Sequence, residues 1–159
     1  MTHSQPLQPR LDPHAIAPEL LAPLLELSNR LNASGLEPRL VDLIKIRASQ
    51  INGCAFCLHM HTTHARAAGE TELRLNVLAA WRESPLFDRR ERAALGWTEA
   101  LTHLPQTLAP DDVYAQLSEA FSEKERVAVT LVIATINSWN RIAVGFRRVH
   151  AMPNDRAAA

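Results

Sequence analysis

The chain has 159 residues, which is enough for one domain with a hydrophobic core and short for two. Apolar residues make up 47% of it, a share typical of a packed globule rather than of a disordered chain. The 17 basic and 17 acidic side chains cancel, so no net field would recruit nucleic acid or an anionic membrane, and we expect neither as a partner.

Apolar residues recur at helical spacing along nearly the whole chain, and no stretch alternates as a strand would. These patterns predict an all-α bundle of six to seven helices, forming a single domain over residues 13–150. Flexible segments are expected at residues 1–12 and 151–159. With prolines, turn residues and capping boxes as boundaries, the predicted helices cover about 18–32, 37–50, 54–68, 71–81, 88–101, 110–121 and 122–149.

The last predicted helix, residues 122–149, is apolar on most of its faces. Such a helix must be buried in the domain or against another subunit, so we expect a homo-oligomer. We find no apolar run of the length that spans a bilayer and no signal-peptide pattern at the amino terminus. The expected location is therefore the cytoplasm.

The most informative feature is the pair Cys54 and Cys57, which follows the turn residues Asn52 and Gly53. A disulfide in a cytoplasmic chain is rarely structural, and closing so small a loop would stabilise the fold by only about 2 kcal/mol. The turn places Cys54 at or near a helix amino terminus, where unpaired N–H groups and the helix dipole favour a thiolate. We interpret the pair as redox-active.

A stripe of reactive side chains follows from the helical spacing. Residues three and four apart share a helix face, so Cys54, Cys57, His61 and His64 lie together and His59 points elsewhere. His61, one turn after Cys57, can accept or relay the thiol proton. A thiol, a neighbouring base and a second thiol are the parts that a thiol peroxidase or disulfide reductase requires.

Other interpretations of these residues stay open at this point. The cysteines could be half of a zinc site completed by His59, His64 or His103, although the chain has no second C-x-x-C. They could also be small buried hydrophobes. Asp42 could approach the histidine across a helical hairpin or be a solvated side chain. Lys45, with Arg47, could be a solvated face residue or could help dock an acidic partner.

The segment from Asp42 to His61 resembles the core motif of the alkylhydroperoxidase AhpD-like proteins, in the carboxymuconolactone decarboxylase superfamily. The shared pattern is an acidic residue, eleven others, then C-x-x-C-x-x-x-H. The similarity extends over about residues 20–147. It implies an all-helical fold that assembles into trimers or hexamers, with the active site on the C-x-x-C helix.

The resemblance also implies a role for each site residue. Cys57 would attack a hydroperoxide, and Cys54 would resolve the product as a disulfide and, lying exposed, meet the reductant. His61 and Asp42 would form the proton relay. The implied activity is hydroperoxide reduction without a cofactor or a metal, coupled to a dithiol donor such as a thioredoxin-like or lipoyl-bearing protein.

Two positions depart from the best-known peroxidase of the family. Asp42 stands where that protein has glutamate, and Phe56 stands where it has histidine. The true decarboxylases lack the cysteine pair, which counts against a lyase. The alternatives to a peroxidase are a non-catalytic redox sensor or disulfide-exchange adaptor, a decarboxylase-like lyase, and a metal-binding helical oligomer.

Overall fold

The computed structural model describes residues 7–151, and within that range it contains helices and no strand. Within that range, seven α-helices are longer than a single turn, and the all-α prediction is confirmed. The elements are α1 (Pro13–Ile16), α2 (Pro18–Asn32), α3 (Pro38–Ile51), α4 (Ala55–Ala67), α5 (Glu72–Val77), a 3-10 helix (Leu78–Glu83), α6 (Arg89–Thr102), α7 (Leu104–Thr107), α8 (Asp111–Ala120) and α9 (Glu123–Gly145).

The capping boxes define the starts of α6 and α9. The side chains of Asp88 and Ser122 each accept a hydrogen bond from the backbone three residues on. Glu91 and Glu125 reach back to the backbone N–H of the respective cap. Each box satisfies two N–H groups that the first helical turn leaves unpaired, so both predicted starts are confirmed.

Two predicted helix ends are wrong. The segment predicted as one helix over 71–81 tightens into the 3-10 helix at Leu78, and Ala80 leaves helical geometry altogether. The last helix ends at Gly145 rather than at residue 149, and Arg147 takes a left-handed conformation with φ of 55°. The single-turn helices α1 and α7 are too short to show a period in the sequence.

Helix α3 is the centre of the molecule and packs against α4, α6 and α9. One hydrophobic core lies between α2, α3, α6, α8 and α9, and a second lies between α3, α4, α5, the 3-10 helix and α6. A small third cluster joins Cys54 and Cys57 to Ala143 of α9, with Phe56 beside it. The cysteine pair is therefore held between α4 and the longest helix.

Helix α9 is long and apolar enough to cross a membrane by length and composition alone, with a mean hydropathy of 1.4. This corrects the expectation that the chain has no apolar run of the length that spans a bilayer. Core helices pass the same test, and 44% of the apolar window is buried in the fold, where α9 packs against α2, α3 and α6. Val127, Leu131 and Val144 stay exposed on α9. The predicted homo-oligomer would cover such residues and stays a prediction.

The predicted flexible ends concern mostly residues 1–6 and 152–159, which lie outside the described range, and they stay predictions. Within that range, the backbone N–H of Arg10 donates to the carbonyl of Phe146 at 2.9 Å. This bond holds the segment before α1 beside the end of α9.

Candidate active site

The turn between α3 and α4 places the cysteine pair at a helix start. Asn52 caps α3, and Gly53 has φ of 65°, a left-handed conformation that glycine adopts without steric cost. Cys54 is the N-cap of α4, and its Sγ accepts a hydrogen bond from the backbone N–H of Cys57 at 3.3 Å. The predicted position of Cys54 at a helix amino terminus is confirmed.

Cys54 and Cys57 are disulfide-bonded, with their Cα atoms 5.3 Å apart. Only 1% of the surface of Cys54 and 2% of that of Cys57 is exposed. The expectation that Cys54 lies exposed to meet a reductant is therefore wrong for this chain. The reason is packing, because the disulfide lies against Ala143 of α9.

Buried amide side chains join the cysteine turn to α9. Asn52 Nδ2 donates to the Oδ1 atoms of Asn137 and Asn140, at 3.0 and 2.9 Å. Asn140 in turn donates to Ser49 Oγ at 3.0 Å, in the last turn of α3. Sequence reasoning missed this role, although two asparagines within an otherwise apolar helix were a signal that buried partners exist.

A cavity of about 460 Å³ lies beside α4, bounded also by α2, α9 and the segment that leads into α1. Cys57 lines this cavity and Cys54 does not. Of the two cysteines, Cys57 is therefore the one that a small molecule in the cavity would contact. Most of the wall is apolar, and its larger apolar side chains include Leu25, Phe56, Met60, Ile136, Trp139, Ile142 and Phe146.

His61 lines the same cavity, one helical turn beyond Cys57. Burial, together with the charges of Lys45 and His64, lowers the pKa of its imidazole to about 4. The ring is therefore neutral at pH 7 in the disulfide form. A neutral imidazole beside a cysteine can accept a proton from the thiol once the disulfide is reduced.

Besides His61, the cavity wall contains the amine of Lys45. It is half-buried in the cavity wall, and its Nζ donates to Asn32 Oδ1 at 2.7 Å. Burial lowers the pKa of the Lys45 amine, while the carboxylate of Asp42 acts in the opposite direction. The sequence left open a solvated or a docking role for Lys45, and its place in the cavity wall was not foreseen.

Asp42 contacts His64 rather than His61. Both carboxylate oxygens of Asp42 lie 3.1 Å from His64 Nδ1, and the side chain of Asp42 is 6% exposed against 67% for that of His64. Among residues 7–151 no hydrogen bond joins Asp42 to His61. Asp42 is not among the residues that line the large cavity. Its hydrogen-bond partner is thus His64, and its charge also acts on Lys45 in the cavity wall.

The remaining histidines that could have completed a zinc site lie elsewhere. His59 is exposed and stacks on His150, with ring centroids 5.0 Å apart. His103 is the C-cap of α6. Within the described part of the chain, no group of three or more histidine, cysteine, aspartate or glutamate side chains is arranged to hold a metal ion.

Comparison with known proteins gives one family. The sequence model of the carboxymuconolactone decarboxylase family matches residues 18–100, slightly more than half of the chain. The uncharacterized protein YdfG of Bacillus subtilis is 41% identical over 135 residues, which cover 85% of this chain and 92% of YdfG.

Two solved structures show how far the fold is shared. A protein of unknown function from Agrobacterium tumefaciens, named as a candidate antioxidant defence protein AhpD, superimposes with a TM-score of 0.89. It is 46% identical, and the match covers 91% of this chain and 99% of that one. The debrominase Bmp8 superimposes with a TM-score of 0.78 at 20% identity, over 90% of this chain and 76% of its own, a likeness of fold alone.

Proposed function

Because the chain belongs to the carboxymuconolactone decarboxylase family, as an AhpD-like member, we propose that it is a cytoplasmic thiol-dependent hydroperoxide reductase. One observation carries the proposal. Cys57 lines a cavity that is also lined by the neutral imidazole of His61, whereas its disulfide partner Cys54 is buried and does not line it. This arrangement supports the roles of attacking thiol, base and resolving thiol for the three residues.

The reaction starts from the dithiol form. The Cys57 thiolate attacks the terminal oxygen of the hydroperoxide, the O–O bond breaks, and the products are a Cys57 sulfenic acid and an alcohol. The Cys54 thiol then attacks the sulfenic sulfur and displaces water, which gives the Cys54–Cys57 disulfide. The structure, in which the two sulfurs are bonded, corresponds to this oxidised product.

A dithiol reductant restores the pair. Its thiolate attacks the sulfur of Cys57 from the cavity, and Cys54 leaves as a thiolate. Departure of Cys54 is favoured by its N-cap position, where the amino terminus of α4 stabilises a negative charge. A second thiol of the donor then releases Cys57. Thioredoxin-like and lipoyl-bearing proteins are donors of this chemical class.

His61 is the proposed proton acceptor of the Cys57 thiol and the proton donor to the leaving alkoxide. Its pKa near 4 belongs to the disulfide form, in which no thiolate is present. A thiolate at Cys57 would favour the imidazolium of His61, because an opposite charge at this range raises the pKa of a base. Asp42 would then act on the site through His64 and so be a positioning residue.

The test is a steady-state assay of hydroperoxide consumption with several dithiol donors, together with a count of free thiols per chain after one equivalent of peroxide. The proposal predicts turnover, loss of two thiols, and no consumption by Cys57→Ser. Cys54→Ser is the matched control, which in the absence of a donor should consume about one equivalent per chain and then stop, because its sulfenic acid cannot be resolved within the site.

Three results would contradict the proposal. If Cys57→Ser consumes peroxide as fast as the parent protein, the attacking residue is misassigned. A disulfide that forms without turnover with any donor would indicate a redox sensor or an adaptor instead. Stoichiometric zinc in protein purified without chelator would indicate a metal site at the cysteines.

A further inference from the structure

The cavity contains a cation that lacks an opposite charge. The Nζ of Lys45 makes one hydrogen bond, to the neutral amide oxygen of Asn32. Among residues 7–151, no carboxylate lies within ion-pair distance of Lys45, and the nearby Asp42 is bonded to His64. An ammonium group has three N–H donors, so Lys45 keeps unused donors in a wall that is mostly apolar.

The other charged side chains of the cavity are Arg148 and Asp12, and each has its own contacts. The guanidinium of Arg148 stacks over the Phe56 ring at 4.0 Å and lies 3.1 Å from His14 Nε2. The carboxylate of Asp12 caps α1 by accepting from the backbone N–H groups of His14 and Ala15. His61 carries no charge at pH 7. Lys45 is therefore the half-buried cation of the cavity wall, whereas Arg148 is exposed and stacked on an aromatic ring.

The rest of the wall suits an apolar body. Trp139 is held in place by a hydrogen bond from its Nε1 to Ser28 Oγ at 2.9 Å, and its ring stacks with that of His14 at a centroid distance of 6.2 Å. Ile142 and Phe146 extend this surface along α9. A volume of about 460 Å³ lies within the range of cavities that enclose small organic ligands.

We propose that this cavity is the binding site of an amphipathic organic acid, whose carboxylate pairs with Lys45 and whose apolar body packs on the Trp139 wall. A small neutral oxidant would use neither feature. Combined with the proposed function, on which this part rests, the substrate would be an organic hydroperoxide that carries an acidic group. The binding claim itself needs no turnover.

The test uses a matched pair of unreactive compounds, 4-phenylbutyrate and its uncharged amide, and measures their affinities for the disulfide form by titration calorimetry. The acid should bind the parent protein more tightly by about tenfold or more, because the amide offers Lys45 only a neutral acceptor and the ion pair is lost. Lys45→Gln should remove this preference. Lys124→Gln is the control, since Lys124 is exposed and the chain contains only these two lysines.

A second measurement is independent of the stability of the Lys45→Gln variant. Reductive ¹³C-methylation keeps the charge of the lysines and gives each side chain its own NMR signal. The signal of Lys45 should move on titration with the acid and not with the amide, whereas the signal of Lys124 should stay in place. Equal binding of acid and amide, a preference that survives Lys45→Gln, or no binding of either compound would overturn the proposal.

The two proposals fail in different ways. Acid-selective binding through Lys45 without hydroperoxide turnover would leave the binding site established and reject the reductase. Turnover that depends on Cys57, without any preference for the acid, would leave the reductase established and reject the acid site.

Discussion

Two groups of polar residues around α3 and α4 differ in how their charges are balanced. In the cavity, Lys45 has no carboxylate partner and His61 is held neutral beside Cys57. Close by, outside the cavity, Asp42 is bonded to His64. An ion-pair cluster, defined as Arg39, Glu70, Arg74 and Glu91, lies against this second group.

We infer from this difference that the cavity residues serve the reaction and the ion-pair cluster serves the stability of the fold. In the ion-pair cluster, Glu70 accepts from Arg39 at 2.7 and 2.9 Å and from Arg74 at 3.0 Å, and Arg74 also bonds Glu91 at 2.5 Å. Buried charges that are fully paired fix a structure and are costly to break. The unpaired groups of the cavity are available to a substrate. Changes in the cavity should therefore alter the rate, and changes in the cluster should alter the stability.

The largest effect is expected from His61→Ala. Loss of the proposed base should lower kcat/KM for hydroperoxide at pH 7 by about 100- to 10,000-fold, as is usual for removal of a general base. His59→Ala is the matched control on the same helix, since His59 lies outside the cavity and stacks on His150. An equal loss of kcat/KM in both variants would contradict the comparison, because the position of His61 in the cavity would then make no difference to the rate.

The cluster is tested by Arg74→Met. This change leaves the carboxylates of Glu70 and Glu91 close together and without their shared cation, so it should lower the free energy of unfolding by about 3–5 kcal/mol in urea. The folded variant should keep its rate. Arg66→Met, which removes an exposed pair with Glu72, should leave the urea midpoint of unfolding nearly unchanged. If Arg74→Met loses more activity than its unfolded fraction accounts for, the cluster affects the rate as well as the stability, and this inference is wrong.

Stability of the disulfide form should depend on pH through His61. Its pKa is about 4 in the folded protein against 6.5 for an ordinary histidine, so the unfolded chain binds a proton more readily between these values. Stability is therefore lost as the pH falls through that window, by about 1–2 kcal/mol between pH 7 and pH 5. Urea unfolding of His61→Gln at the two pH values should lack this part of the decline. An unchanged decline would show that His61 is not buried as a neutral base.

The smallest effect is expected from Asp42→Asn. Because Asp42 is hydrogen-bonded to the exposed His64 and lies outside the cavity, the variant should lose about tenfold or less in kcat/KM. The double variant Asp42→Asn, His64→Ala should have a kcat/KM no lower than that of the less active single variant, because the two residues act as one unit. A loss as large as that of His61→Ala would instead support a direct relay between Asp42 and the cysteine site.

The features that could be predicted from the sequence are local ones. The turn at Gly53 and the capping boxes at Asp88 and Ser122 each depend on residues within one helical turn, so their sequence signals are complete. The same holds for the position of Cys54 at the start of α4. The placement of Cys57 one turn before His61 follows from the helical period alone.

What the sequence could not supply depends on how distant helices are aligned. The contact of Asn52 with Asn140 spans 88 positions, and nothing local announces it. Asp42 was expected at His61 and contacts His64, a difference of one helical turn that only the alignment of α3 against α4 decides. Lys45 looked like an ordinary surface residue for the same reason, since the cavity beside it is built by α2 and α9.

The claim at the centre of this account is that Cys57 attacks the hydroperoxide, and trapping its sulfenic acid tests it most directly. The reduced Cys54→Ser variant is treated with one equivalent of hydroperoxide in the presence of dimedone, and the adduct is located by mass spectrometry. We predict an adduct on Cys57, because no second thiol can resolve the sulfenic acid within the site. The absence of an adduct on Cys57, together with one on Cys54 when Cys57→Ser is treated in the same way, would contradict it.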